Sequence, residues 1–269
     1  MRWFWFFAFI ALVQLIGCRG LPHAPLSPLP NGHETPVGQL VFHSDFELPH
    51  DHRLVRELVE EREYVANTLG LPTTTEPIEV YLFSDKERYG EYLLRNFPNV
   101  PSRRAFFLES DTHLRVYAHW SDRVGEDLRH ETAHGYMHAA IPNLPLWIDE
   151  GLAEYFEVPR GYAGLNQPHV DLLSDSIEHD NWKPDLKRLE SLSESAQMGQ
   201  REYAESWSWV YFLLNSPPER REILTGYLAD LRTKGSAVPI SARLAALQVE
   251  PEGPLVQYIA TLKQSAVQK

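Results

Sequence analysis

Histidines at positions 130 and 134, with a glutamate at 131, constrain this chain more than any other feature of its sequence. Four residues of α-helix turn the chain once plus about 40°, so in a helix both imidazoles leave one face and can close on a single ion. Imidazole nitrogen suits Zn²⁺, and a catalytic zinc takes three protein ligands with a fourth position open to water. Glu131 would face that water as a general base. Without a third ligand, the same residues describe only a surface helix with solvated histidines.

A source for the third ligand follows closely. Leu144 to Phe156 carries apolar residues at 148, 152, 155 and 156, a helical spacing, with Glu150 and Glu154 one turn apart on another face. Pro142 and Pro145 break the first helix after Ala140 and turn the chain, so that the second helix returns across the first.

His130-Glu131-x-x-His134 followed by Trp147-x-x-Glu150-Gly151-x-Ala153-x-Tyr155 resembles the gluzincin, or peptidase MA-like, metallopeptidases. In that group the Glu of the W-x-x-E-G stretch is the third zinc ligand. The resemblance therefore implies His130, His134 and Glu150 as ligands of one zinc ion, with Glu131 as the catalytic base. The 15 residues between His134 and Glu150 are fewer than the roughly 18 usual in such relatives. Glu154 lies nearer that spacing, either as the ligand itself or as a carboxylate holding a ligand imidazole through its other ring nitrogen. Downstream, Tyr203-Ala204-Glu205-Ser206-Trp207 resembles a helix of secreted bacterial members, which implies Tyr203 as a donor to the tetrahedral oxyanion. The same tyrosine recurs with Trp207, Val210 and Tyr211 at helical spacing, the pattern of a packed face. His138 continues the face of 130 and 134 too far along the axis for a ligand and reads as a packed or solvent-facing residue. Aminopeptidases of the group share a G-x-M-E-N segment; its absence here favours an endopeptidase.

The implied fold class is α+β and zincin-like, a small mixed sheet packed on the H-E-x-x-H helix and followed by a mostly helical C-terminal lobe. Strands are expected at Glu79–Phe83, Ala105–Leu108 and Leu114–Tyr117, with a hairpin turn at Glu109-Ser110-Asp111-Thr112. That hairpin runs into the metal helix, so an edge strand beside the site could hold an extended peptide. Helical patterning covers Asp51–Leu69, ended by Gly70-Leu71-Pro72, and Asp85–Asn96, and later 199–215, 217–233, 239–248 and 254–266. Arg160–Pro184, rich in Gly, Asn, Asp and His, reads as a long loop carrying His169 and His179. The α/β lobe is expected over 39–158 and the loop with the helical lobe over 159–269.

The first residues decide where such chemistry would occur. Met1-Arg2 precedes an apolar run from Trp3 to Ile16, about 14 residues where a membrane span needs ~20, so residues 1–17 read as a signal peptide. Leu15-Ile16-Gly17-Cys18 resembles the bacterial lipobox, and Cys18 is the only cysteine of the chain. Residues 18–38 would then be a lipidated Cys and a Pro-rich tether, anchoring the protein to a membrane of the bacterial cell envelope, facing periplasm or exterior. Without residues 1–17 the chain has 24 basic against 37 acidic residues, a formal charge of −13. So acidic a chain, with no basic stripe, is no nucleic-acid binder. The expected partner is a peptide or protein substrate, hydrolysed by Glu131-assisted attack of zinc-bound water. The alternative is a non-catalytic zincin-like lipoprotein binding a peptide, a protein or an envelope polymer, which would need the ligands but not Glu131.

Overall fold

The alternating stretch around Val80 becomes the central strand of a five-stranded mixed sheet in the computed structural model, which describes residues 28–98, 103–247 and 251–267. The expected signal segment and Cys18 lie outside the described residues. The strands are β1 (His33–Val37), β2 (Leu40–Ser44), β3 (Ile78–Phe83), β4 (Ala105–Ser110) and β5 (His113–His119), in the order β1-β2-β3-β5-β4. β2, β3 and β5 run parallel, while β1 and β4 are antiparallel edges. Parallel strands need both faces covered. One face, with Ile78, Val80, Leu82, Leu114 and Val116, packs on helices α1 (Arg53–Leu69) and α3 (Val124–His138). The opposite face is aromatic: Tyr81, Tyr117 and Phe106 stack in a row beneath Tyr89 and Tyr92 of helix α2 (Lys86–Asn96).

Among the described residues, seven helices follow α3: α4 (Leu146–Phe156), α5 (Gln167–His179), α6 (Leu186–Glu190), α7 (Gln200–Leu214), α8 (Pro218–Lys234), α9 (Ile240–Ala246) and α10 (Glu252–Val267). The architecture is mixed α+β with a helical C-terminal part. One apolar core runs from Leu40 in the sheet to Ile259 in α10, so residues on both sides of 158 contribute to it. Gly151 makes this possible. A methyl group there would lie 2.6 Å from the carbonyl oxygen of Ser206, so only glycine lets α4 press against the backbone of α7.

Two expectations need correction. β1 falls inside the stretch read as tether, where Pro36 suggested an unpaired chain; Pro36 sits on an edge strand, the place in a sheet that tolerates a missing N–H. Residues 160–184, read as a long loop, contain a 3₁₀ turn at Arg160–Tyr162 and then α5, with His169 in its first turn and His179 at its exposed end. Pro168 occupies the first turn of α5, where no N–H partner is required, and Val170 and Leu173 are buried.

α1 and α3 are joined by a buried acid. Glu61 Oε2 lies 2.5 Å from Thr132 Oγ1, which is itself 2.6 Å from the Leu128 carbonyl oxygen. A hydroxyl has one proton; if Leu128, which only accepts, receives it, the carboxyl must be protonated and donate to Thr132. Burial raises the Glu61 pKa well above the usual carboxylate range, with Thr132 and the Arg129 charge opposing it only in part. A carboxyl raised in the folded state stabilises fully below its unfolded pKa, and that stability is lost as pH rises through the folded value. Glu61→Gln donates to Thr132 without titrating. It is expected to raise the Tm of metal-free protein at about pH 8.5 and to lose that advantage toward about pH 5. An equal offset at both pH values, in melts followed by circular dichroism, would overturn the protonated assignment.

Candidate metal centre

The helix α3 presents two faces of different purpose. Thr132 and Tyr136 point to α1, Tyr136 Oη donating to the Leu58 carbonyl oxygen at 2.9 Å, and this fixes the rotation of α3 about its axis. At about 100° per residue, His130, His134 and His138 then project from the opposite side, toward α4. Residues 139–145 carry the chain round, and Glu150 arrives one turn into α4.

His130 Nε2, His134 Nε2 and Glu150 Oε2 form a triangle with sides of 3.3, 3.5 and 3.7 Å. Four ligands at 2.0–2.1 Å from a tetrahedral ion stand about 3.3 Å apart, so these three atoms have the spacing such an ion requires. The far nitrogens are held by carboxylates. His134 Nδ1 donates to Asp149 Oδ1 at 2.7 Å and His130 Nδ1 to Glu157 Oε2 at 3.0 Å. With its proton committed to Nδ1, a neutral imidazole turns its Nε2 lone pair into the triangle. Phe107 of β4 stacks on the His134 ring, closing that side.

In the bare protein the charge balance favours a cation. Burial alone would depress His134; the negative charges of Asp149 and Glu150 overcome it and raise the imidazole to about 10. Glu150 moves oppositely: burial pushes it up, but the two imidazoles beside it, 3.5 and 3.7 Å away, bring it down to about 2. In the bare protein His134 thus holds a proton beside a deprotonated Glu150, a proton that a bound metal ion would have to displace.

Glu131 lies beside the triangle, buried, with no hydrogen-bond partner among the described residues. Burial raises its carboxyl, and the charges of His130 and His134 pull the other way. It lines a cavity of about 420 Å³ together with His130, Glu150, Glu154, Glu157 and Tyr203. Tyr203 therefore reaches the cavity, while Trp207 and Val210 of the same helix are buried in the core. The rest of its segment fixes α7: Glu205 binds Arg188 of α6 at 2.7 Å, and Trp207 Nε1 donates to the Gly164 carbonyl oxygen at 2.9 Å.

Glu154 does not hold a ligand imidazole. Its Oε2 lies 2.7 Å from His169 Nε2, and the imidazoles of His134 and His130 are held by Asp149 and Glu157 instead. Glu154, Glu157 and His130 still lie close enough together to form a second possible metal-binding group, as do His134, His138 and Asp149. In the latter, His138 Nε2 faces Asp149 at 3.0 Å and Nδ1 faces Glu109 at 2.6 Å. Both nitrogens face acceptors, so His138 is an imidazolium, a charge partner rather than a packed or solvated ring. Sequence reasoning missed Asp149 and Glu157, although Glu157 shares the helical face of Glu150, seven residues on.

Residues 127–236, from within α3 to just past the end of α8, match the family described as protein of unknown function (DUF1570). No curated protein matches the chain.

The triangle ranks the side chains by their effect on metal affinity. Asp149→Asn and Glu157→Gln are expected to weaken Zn²⁺ binding about 10–100-fold. His130→Ala, His134→Ala and Glu150→Gln should each cost more, and Glu154→Gln less. Competition against a chromophoric chelator reads these affinities. A large loss in Glu154→Gln with none in Glu150→Gln would move the third ligand to Glu154.

Proposed function

We propose that this chain is a zinc-dependent metallopeptidase of gluzincin type, an endopeptidase that hydrolyses peptide bonds in an extended substrate. One observation carries the reading: two corners of the triangle, His130 and Glu150, line the same cavity as Glu131, which is buried and has no hydrogen-bond partner among the described residues. Its donor set, two neutral imidazoles and a carboxylate, suits zinc and leaves a fourth direction open. A zinc ion there would act as a Lewis acid, polarising the scissile carbonyl and lowering the pKa of water toward about 7.

The chain's own residues supply the proton transfers. Glu131, made more basic by burial, accepts the proton of the attacking water and, sheltered from bulk solvent, passes it to the leaving amine. Tyr203 is raised by burial and by the Glu150 charge, so its phenol stays protonated and can donate to the oxyanion of the tetrahedral intermediate. β4 is a sheet edge, and Ala105 at its start lines the cavity, so a peptide added to that edge would pass the triangle. A zincin-like fold is part of the same proposal, supported by the edge strand and by the third ligand on a second helix.

The proposal extends to location. Cys18 would carry the lipid, and residues before β1 would hold the catalytic domain at an envelope membrane. No described helix is long and apolar enough to cross a membrane, so attachment would rest on the N-terminal residues. Fatty-acid labelling of the full chain should be lost in Cys18→Ala.

Glu131→Gln should lower peptide hydrolysis about 10²–10⁴-fold with zinc content unchanged. Tyr203→Phe should lower kcat less and leave zinc affinity intact. If zinc-loaded native protein cleaves nothing across a broad peptide library, the non-catalytic binding module replaces the peptidase.

A further inference from the structure

Among the described residues, the cavity at the candidate metal centre has one lining cation with no hydrogen-bond or ion-pair partner. Its lining includes the carboxylates of Glu126, Asp127, Glu131, Glu150, Glu154 and Glu157, against two arginines, Arg103 and Arg104. Arg104 is committed: its Nε and Nη2 both bind Asp127, at 2.9 and 2.6 Å, and its Nη2 lies 3.6 Å from Glu126. Arg103 is exposed and makes no hydrogen bond or ion pair with any described residue. A flexible guanidinium among acids would fold onto the nearest free carboxylate. Here most of them are taken. Asp127 has Arg104, Glu126 has Arg123, Glu157 has His130 and Asn166, Glu154 has His169, and Glu150 lies between two imidazoles. Glu131 is the exception, and catalysis requires it to stay available. Arg103 nonetheless lines the same cavity as Glu131 and Tyr203.

Its position in the chain gives a direction. Arg103 stands two residues before Ala105, the first residue of the edge strand β4. Antiparallel pairing is the more stable arrangement, and a peptide added antiparallel to β4 has its C-terminal end at the strand's start. That end arrives at Arg103. A guanidinium presents a planar fork of donors that matches a carboxylate in two parallel hydrogen bonds. We propose that Arg103 is the receptor for a carboxylate on the C-terminal side of the scissile bond, so that this cleft selects anionic peptide ends despite its acidic lining. The carboxylate is either the free C-terminus of a short peptide or an acidic side chain close behind the cut.

This inference rests on the peptidase reading for its meaning, yet binding tests it without turnover. The probes are dansyl-labelled alanine-rich hexapeptides, titrated into zinc-loaded full-length protein carrying Glu131→Gln and followed by fluorescence anisotropy. One pair differs by a free or an amidated C-terminus. A second pair, both amidated, differs by Glu or Gln at the penultimate position. Removing the recognised carboxylate should weaken binding about tenfold or more, the worth of a charged hydrogen-bonded pair. With Arg103→Gln added, that difference should shrink to less than about twofold, while Arg103→Lys keeps part of it. The pair that responds identifies the source of the carboxylate. Equal weakening of all probes by Arg103→Gln, or no effect on any, would overturn the assignment. If the Arg103-dependent preference is found but protein with Glu131 intact cleaves none of the probes, Arg103 stands and the peptidase reading fails.

Discussion

A neutral imidazole has one proton for two nitrogens, and the acceptor placed beside it decides which nitrogen stays free. Asp149 and Glu157 make that decision for His134 and His130, taking both Nδ1 protons and turning both Nε2 atoms to one point, where Glu150 completes the set. α3 supplies the rings, but α4 determines what they can bind. α4 in turn depends on α7, whose backbone touches it at Gly151, the residue next to the proposed third ligand. A methyl group at that contact would displace α4 and carry Asp149, Glu150 and Glu157 with it, so the glycine that lets the helices meet also sets the geometry of the centre.

So dense a cluster of buried charge is costly unless each member has a partner. The partners here come from separate elements. Asp149 lies between His134 and His138, and His138 reaches on to Glu109 at the end of β4; Glu157 accepts from His130 and from Asn166; Glu154 meets His169 from α5. His138 and His169, outside the triangle, thus hold Asp149 and Glu154 in place. Glu131 stands outside this network, as the proposed proton exchange with a substrate would require.

Much of this was legible in the sequence because it repeats at helical spacing. His130 and His134 needed only the period of a helix, Glu150 came ahead of Glu154 only through the resemblance of its W-x-x-E-G setting, and Val80 and its neighbours needed only alternation. The hairpin of β1 and β2 was hidden by Pro36, which signals an unpaired chain unless the strand is known to be an edge. α5 was hidden by Pro168 and a polar composition, its apolar stripe reduced to Val170, Leu173 and the partly buried Ile177. Asp149 was visible as an acid in a helix but not as a partner, since its role depends on which face α3 presents, and that is fixed from behind by Glu61 and Leu58. Arg103 had no local signal at all: an exposed arginine before a strand acquires meaning only when the cavity beside it is known to be acidic and its other cation occupied.

Helix geometry favours Glu150 over Glu154 despite the short interval after His134. α3 ends at His138, so the link to α4 is the stretch 139–145, and the first turn of α4 faces the two imidazoles at once. A glutamate one turn further along lies about 6 Å down the axis. Glu154 is at that distance, and it meets His169 there instead of the Nε2 pair. A longer link would let α4 slide and bring a later residue to the same place; with this link, the carboxylate that can close the triangle is the one in the first turns, which is Glu150.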